Sequence, residues 1–186
     1  SPTQFMAQRK STVEEAWPGD IVGLPDNGIF KIGDTLTEGD MLHFRGLPSF
    51  SPELFKYIEN DDPMKSKQFQ KGLEQLMNEG VAQLFVNQFN NRRIVGTVGQ
   101  LQFEVIQYRL EHEYNARCRW EPVHLHKACW IEADSEEELE RFKKRKYQYM
   151  AKDIEGRDVF LADSGYVLSM AQQDFEHVKF HFTSEF

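Results

Sequence analysis

The residues of this chain best able to do chemistry are two cysteines, a pair of histidines, two Asp-x-x-Gly strings, a glycine-rich turn and a strongly cationic stretch. Cys118, Cys129, His124 and His126 are the candidate metal ligands and, as a Cys–His pair, the candidate nucleophile and base. On a strand, His124 and His126 would share a face. The two cysteines stand eleven positions apart with no C-x-x-C pair, which is poor spacing for zinc. Buried cysteine and surface histidine are the plainer reading, and a nucleophile would also need a histidine brought to it by the fold. Phosphate chemistry fares no better. No glycine is followed by lysine, so no G-x-x-x-x-G-K-[ST] loop exists. Asp20 with Gly23 and Asp153 with Gly156 form D-x-x-G strings, a pattern common by chance. Gly96-Thr97-Val98-Gly99 precedes a helix, which suits an anion in principle, but two glycines that permit a tight turn explain it equally. Asp61-Asp62 reads as the acidic start of a helix rather than a catalytic carboxylate pair. No catalytic, cofactor-binding or metal-ligating residue is assigned.

The cations carry more information. Arg141, Lys143, Lys144, Arg145 and Lys146 place five positive charges within six positions, after Glu136-Glu137-Glu138. Acid first and base last complements a helix dipole. The cations also exceed what a dipole requires, so Lys143, Lys144, Arg145 and Lys146 are candidate phosphate contacts. Arg92 and Arg93, at the tip of an expected hairpin, are candidates of the same kind, with a solvated turn as the alternative.

These residues sit in a chain of 186 residues with 40% hydrophobic and 28% charged positions, an ordinary globular balance. The length suits one domain or one domain plus part of another. The net charge of −8 argues against a free-standing nucleic-acid binder, DNA included. Screening over about 8 Å leaves room for a local basic patch. No apolar run approaches the ~20 residues of a membrane span, no signal peptide opens the chain, and two unframed cysteines suit a reducing compartment. A cytoplasmic location is expected.

The elements change character along the chain. Residues 1–46 alternate short apolar strands (21–24, 29–32, 41–44) with turns such as Pro18-Gly19-Asp20 and Pro25-Asp26-Asn27-Gly28. This is the grammar of a small β-barrel with too few strands to close, so the expectation is a partial barrel over 1–47 whose other strands lie elsewhere. Pro48 to Pro52 reads as a boundary, with an α+β domain over 48–186. There a strand at 54–59 leads to a helix at 63–79, capped by Asp62 with Pro63 at its start, burying Phe69, Leu73, Leu76 and Met77 and stopped by Gly80. A hairpin pairs 81–89 with 92–97 around Asn90-Asn91. A helix at 99–114 should turn Leu101, Val105, Tyr108 and Leu110 inward, and 116–123 is a strand interrupted by Pro122. The order β-α-β-β-α-β is the ferredoxin-like split βαβ arrangement. An α+β extension follows: a strand at 127–132, a helix at 136–150 opened by a Ser135/Glu138 capping box, a strand at 158–162, an ambiguous stretch at 167–175 and a strand at 177–182. No internal repeat is visible.

Trp17-Pro18-Gly19-Asp20-Ile21-Val22-Gly23-Leu24 and Ile32-Gly33-Asp34-Thr35-Leu36 resemble the end of the β-barrel second domain of translational GTPases. The run from Ile94 to Val105, containing Gly96-Thr97-Val98-Gly99 and Leu101-Gln102-Phe103, resembles the class-II peptide chain release factors (release factor three). The translocase-type elongation factor is shorter at the glycines and has His-Leu in place of Gln102-Phe103. Phe50-Ser51-Pro52-Glu53-Leu54-Phe55, Gln70 through Gly80, and Arg109 through Asn115 resemble the same release-factor family. The resemblance implies a region of a bacterial GTPase of translation termination, one that promotes departure of the codon-reading release factors from the ribosome. It implies GTP/GDP and magnesium in a preceding domain, and the small ribosomal subunit, RNA and protein, as partner. A fragment of another translational GTPase, and an independent α+β ligand-binding domain, are the alternatives.

Overall fold

The computed structural model describes residues 3–6, 9–12, 15–25, 29–30, 34–40 and 50–184. The expected turn at 26–28, strand at 41–44 and boundary at 47/48 lie wholly or mostly outside these residues. The chain divides into two compact units, Ser1–Leu42 and His43–Phe186. In the first, strands β1 (Thr3–Met6), β2 (Arg9–Thr12) and β3 (Val22–Gly23) form an antiparallel sheet in the order β2-β1-β3. Gly19, at φ +97°, turns the chain before β3.

The second unit is α+β, built on one antiparallel sheet of eight strands. These are β4 (Leu54–Asn60), β5 (Gln83–Asn87), β6 (Arg93–Thr97), β7 (Cys118–Pro122), β8 (Lys127–Ala133), β9 (Met150–Lys152), β10 (Asp158–Ala162) and β11 (Val178–His181), in the order β11-β8-β10-β9-β5-β6-β4-β7. The four helices are α1 (Ser66–Asn78), α2 (Leu101–Tyr114), α3 (Glu136–Arg145) and α4 (Gly165–Asp174). From β4 to β7 the chain runs β-α-β-β-α-β with the fourth, first, third and second strands side by side, the ferredoxin-like pattern. From β8 to β11 it repeats the same order and the same strand arrangement. The extension is therefore a second split βαβ half. The two halves join along their second strands, with Val86 opposite Lys152 and Asn87 opposite Ala151. The repeat is one of element order and strand arrangement.

Strand alternation decides where the cores sit. Ile58, Leu84 and Val95 face α1 and α2, packing with Phe69, Leu73, Leu76, Phe103, Ile106 and Leu110. In the second half Cys129, Ile131, Met150 and Phe160 pack with Phe142, Leu168 and Phe175. Opposed residues in an antiparallel pair share a face, so the Val86–Lys152 pairing puts all four helices on one side of the sheet. The other side is a third core of Phe55, Phe85, Ile94, Ala128, Trp130, Ala151, Val159 and Leu161. Phe85 and Trp130 lie on strands three spacings apart, about 14 Å in a flat sheet, yet their rings are 5.7 Å apart. The sheet thus curves around this core, and the link at residues 123–126 adds Val123 and Leu125 to it.

Several local expectations change. On α2 the buried residues are Phe103, Ile106 and Leu110, whereas Leu101, Val105 and Tyr108 are exposed. The helix carries two apolar stripes, and the sheet selects the one containing Phe103. The helix expected over 136–150 ends at Arg145, because Met150–Lys152 finds strand partners on both sides, in β10 and β5, after a 3-10 turn at Tyr147–Tyr149. The ambiguous stretch near 167–175 is helix α4, capped by Ser164. His124 and His126 lie on an exposed connection rather than a strand.

Candidate functional site

The residues that resemble the release-factor family assemble into mutual supports. Gly96 lies so close to Pro52 that an added Cβ would stand 2.8 Å from the proline Cβ and 3.1 Å from Phe55 and Phe85. Gly72 lets α1 approach α2; its Cβ would meet Tyr114 at 2.7 Å and Leu110 at 2.8 Å. Arg109 reaches back from α2 to Glu79 at the end of α1 and also pairs with Glu113 at 2.8 Å. Hydrogen bonds from Arg109 first, against some desolvation, hold the Glu113 carboxyl below its usual range. Gln102 explains the glycine turn: its Oε1 accepts from the Val98 and Gly99 N–H groups at 2.8 and 2.9 Å, and its Nε2 donates to the Val81 carbonyl at 2.8 Å. The helix-opening amides that might have cradled an anion are filled by the chain's own carboxamide.

The other chemical candidates also make contacts within the fold. Asp153 accepts from Trp130 Nε1 at 2.9 Å, from Arg157 Nε at 2.8 Å, and from the backbone N–H groups of Glu155 and Arg157. Asp20 accepts from the Trp17 N–H at 2.9 Å, closing its turn. Asp20 thus closes a local turn, and Asp153 joins its own turn to the Trp130 indole of the third core. Cys118 and Cys129 are buried in different cores, and burial pushes both thiols up to about 12. Among the described residues no group of three or more His, Cys, Asp or Glu is arranged to hold a metal ion. No described helix is long and apolar enough to cross a membrane.

The six candidate cations separate. Arg92 lies 3.7 Å over the Tyr57 ring, pairs with Glu59 at 2.7 Å and also pairs with Glu121. The Glu121 hydrogen bond, against some desolvation, raises its pKa. Arg93 points to the opposite face, 6.0 Å over Phe69. There it lines a groove of about 400 Å³ with Gln70, Glu74, Asn78, Asp153 and Ile154. Lys143 is held by Glu140 at 2.7 Å and Asp158 at 3.4 Å. Lys144, Arg145 and Lys146 make no ion pair among the described residues.

Two exposed aromatics that sequence reasoning passed over join these regions. Phe89, on the β5–β6 hairpin, and Tyr147, directly after Lys146, meet edge to face with centroids 5.3 Å apart. Beneath them Asn87, only 8% exposed, accepts from the Phe89 N–H at 2.8 Å and donates to the Gln148 carbonyl at 3.3 Å. The Gln88 N–H donates to the Met150 carbonyl at 2.8 Å. The hairpin of the first half is thus pinned to the cationic end of α3 in the second. Their sequence signal was weak: an aromatic at each end of a turn, far apart in the chain.

A pair of translation-factor modules emerges from comparison with known proteins. Residues 44–172 match the class II release factor RF3 C-terminal domain, and residues 1–39 match elongation factor G domain 2. The chain belongs to the class II release factor RF3 family, over most of its length. Among solved structures, a protein from Thermus thermophilus is similar with a TM-score of 0.57 and 17% identity, over 72% of this chain and 22% of that one. That likeness concerns the fold alone, and the chain spans about a fifth of that protein.

Proposed function

We propose that this region binds the ribosome within a cytoplasmic GTPase of translation termination that stimulates departure and recycling of the codon-reading release factors. The observation that carries the reading is the run Lys144, Arg145 and Lys146 at the C-terminal end of α3, which makes no ion pair among the described residues, in a domain of the release-factor family although the chain as a whole is acidic. Clustered cations outside short ion pairs favour a polyanion such as the RNA of the small subunit. On this reading GTP and magnesium are held by a preceding domain, as the family resemblance implies. The region acts by positioning: it biases the ribosome only as far as it binds one state better than another.

The test uses the full-length factor. Reversing Lys144, Arg145 and Lys146 to Glu should weaken association with ribosomes at least tenfold, lower the slope of binding against salt by roughly one per lost phosphate contact, and slow release-factor departure. Unchanged binding with an unchanged salt slope refutes the assignment. Arg92→Ala and Arg93→Ala extend the test; Arg92 should have the smaller effect on binding, because Tyr57, Glu59 and Glu121 already occupy it.

A further inference from the structure

We propose that Phe89 and Tyr147, together with Lys144, Arg145 and Lys146, form a composite site for an unpaired RNA base and its flanking phosphates, built across the seam between the two split βαβ halves. The inference rests on the ribosome-binding reading above and adds the mode of contact. Phe89 is 56% exposed and Tyr147 49% exposed. Large rings on a surface are common singly; two held in contact on a prepared support are less so. At an interplanar angle of 77° the edge of one ring meets the face of the other, and about half of each residue stays exposed.

The support is built, not loose. Asn87 is nearly buried at the end of β5, and its side chain fixes both sides of the pair: the carbonyl holds the hairpin amides of Phe89 and Asn90, the amide holds Gln148. Asn91, at φ +57°, closes the hairpin with its N–H donating to the Asn87 carbonyl at 2.8 Å. Two rings fixed in place lose little freedom when a base stacks on them. Next in the chain stand three cations that make no ion pair among the described residues, the last of them adjacent to Tyr147 in sequence. Exposed aromatics with a cationic run next to them in the chain are what single-stranded nucleic acid uses: the ring takes the base, the cation its phosphate. A duplex keeps its bases stacked and offers the rings nothing, so the occupant is an unpaired nucleotide. An apolar protein segment would use the rings but not the charge.

The experiment measures binding of full-length protein to small ribosomal subunits, to a ten-residue oligoadenylate and to an RNA duplex of equal length. Variants are Phe89→Ala, Tyr147→Ala, the ring-conserving Tyr147→Trp, the apolar but ringless Phe89→Leu, and the Lys144/Arg145/Lys146→Glu reversal, each checked for unchanged melting. Stacking predicts a loss of roughly 5- to 150-fold for each alanine variant, on subunits and on oligoadenylate. It predicts retention by Tyr147→Trp, failure of Phe89→Leu to rescue, and no dependence of duplex binding on the rings. If both alanine variants bind like wild type while the charge reversal weakens binding, the stacking site is overturned and the ribosome-binding reading stands. If the charge reversal is also without effect on subunits, both fall. If Phe89→Leu binds subunits like wild type while Phe89→Ala does not, and oligoadenylate is indifferent, the surface takes apolar protein and the RNA assignment is overturned.

Discussion

The two split βαβ halves share one topology and reach it by different means. In the first, α1 and α2 lie directly against each other, brought close at Gly72 and tied by Arg109 to Glu79. In the second, α3 and α4 pack mainly on the strands, and aromatic contact replaces helix contact. Phe142 meets Phe160, Phe175 and Phe180 edge to face at 5.5, 4.9 and 5.6 Å. The difference shows that strand order is set by the alternation of apolar residues and short connections, while the filling is free to vary.

The contrast is most easily disturbed in the cores. Phe142→Ala should cost about 3–5 kcal/mol, and native-state hydrogen exchange should show the loosening concentrated in β8 to β11. Trp130→Ala, in the core shared by both halves, should cost a similar ~3–5 kcal/mol but raise exchange in β4 to β7 as well. Exchange confined to one half would mean that the curved sheet does not couple them. Gly72→Ala forces Tyr114 and Leu110 to move and should cost about 1–3 kcal/mol, read by denaturant unfolding, with no counterpart in the second half.

Smaller changes probe each half in turn. Gln102→Ala abandons two turn amides and the Val81 carbonyl, and should cost about 1–2 kcal/mol with faster exchange at Val98 and Gly99. Cys118 and Cys129, buried thiols pushed up to about 12, should resist iodoacetamide at pH 8 in the folded protein and react on unfolding. The slightest change concerns acid. Hydrogen bonds from Arg119, then Arg92, hold Glu59 below its ordinary 4.5. A carboxylate depressed in the folded state contributes stability at neutral pH that is lost as pH falls from about 4.5 through the folded value. Melting temperature measured from pH 6 to pH 2.5 should therefore decline less steeply in Glu59→Gln than in wild type. The gap should be small, because the group is open to solvent.

Much of the first half was legible in the chain itself. Phe69, Leu73, Leu76 and Met77 keep a helical period on one face and Gly80 follows the end of α1, but Asp62 and Pro63 open a 3-10 turn over Pro63–Lys65, and the α-helix proper begins only at Ser66. The Ser135 cap was legible too, its Oγ accepting from the Glu138 N–H at 3.2 Å. These signals are local: a cap, a fixed φ or a single period needs no distant partner. Leu101, Val105 and Tyr108 misled because α2 offers two apolar stripes, and only the sheet beneath it decides which is buried. The run to Met150 misled because a continuing helical period was overruled by strand partners from β5 and β10.

Neighbouring residues were enough for most element types, for the β-α-β-β-α-β order of the first half and for the family likeness, because propensity, capping and turn chemistry act over a few positions. Long-range packing was needed to make the second half repeat the first, to curve one sheet around a shared core, and to bring Phe89 to Tyr147, fifty-eight positions away. Those outcomes depend on pairing β5 with β9, and no nearby residue specifies a contact between strands so distant in the chain.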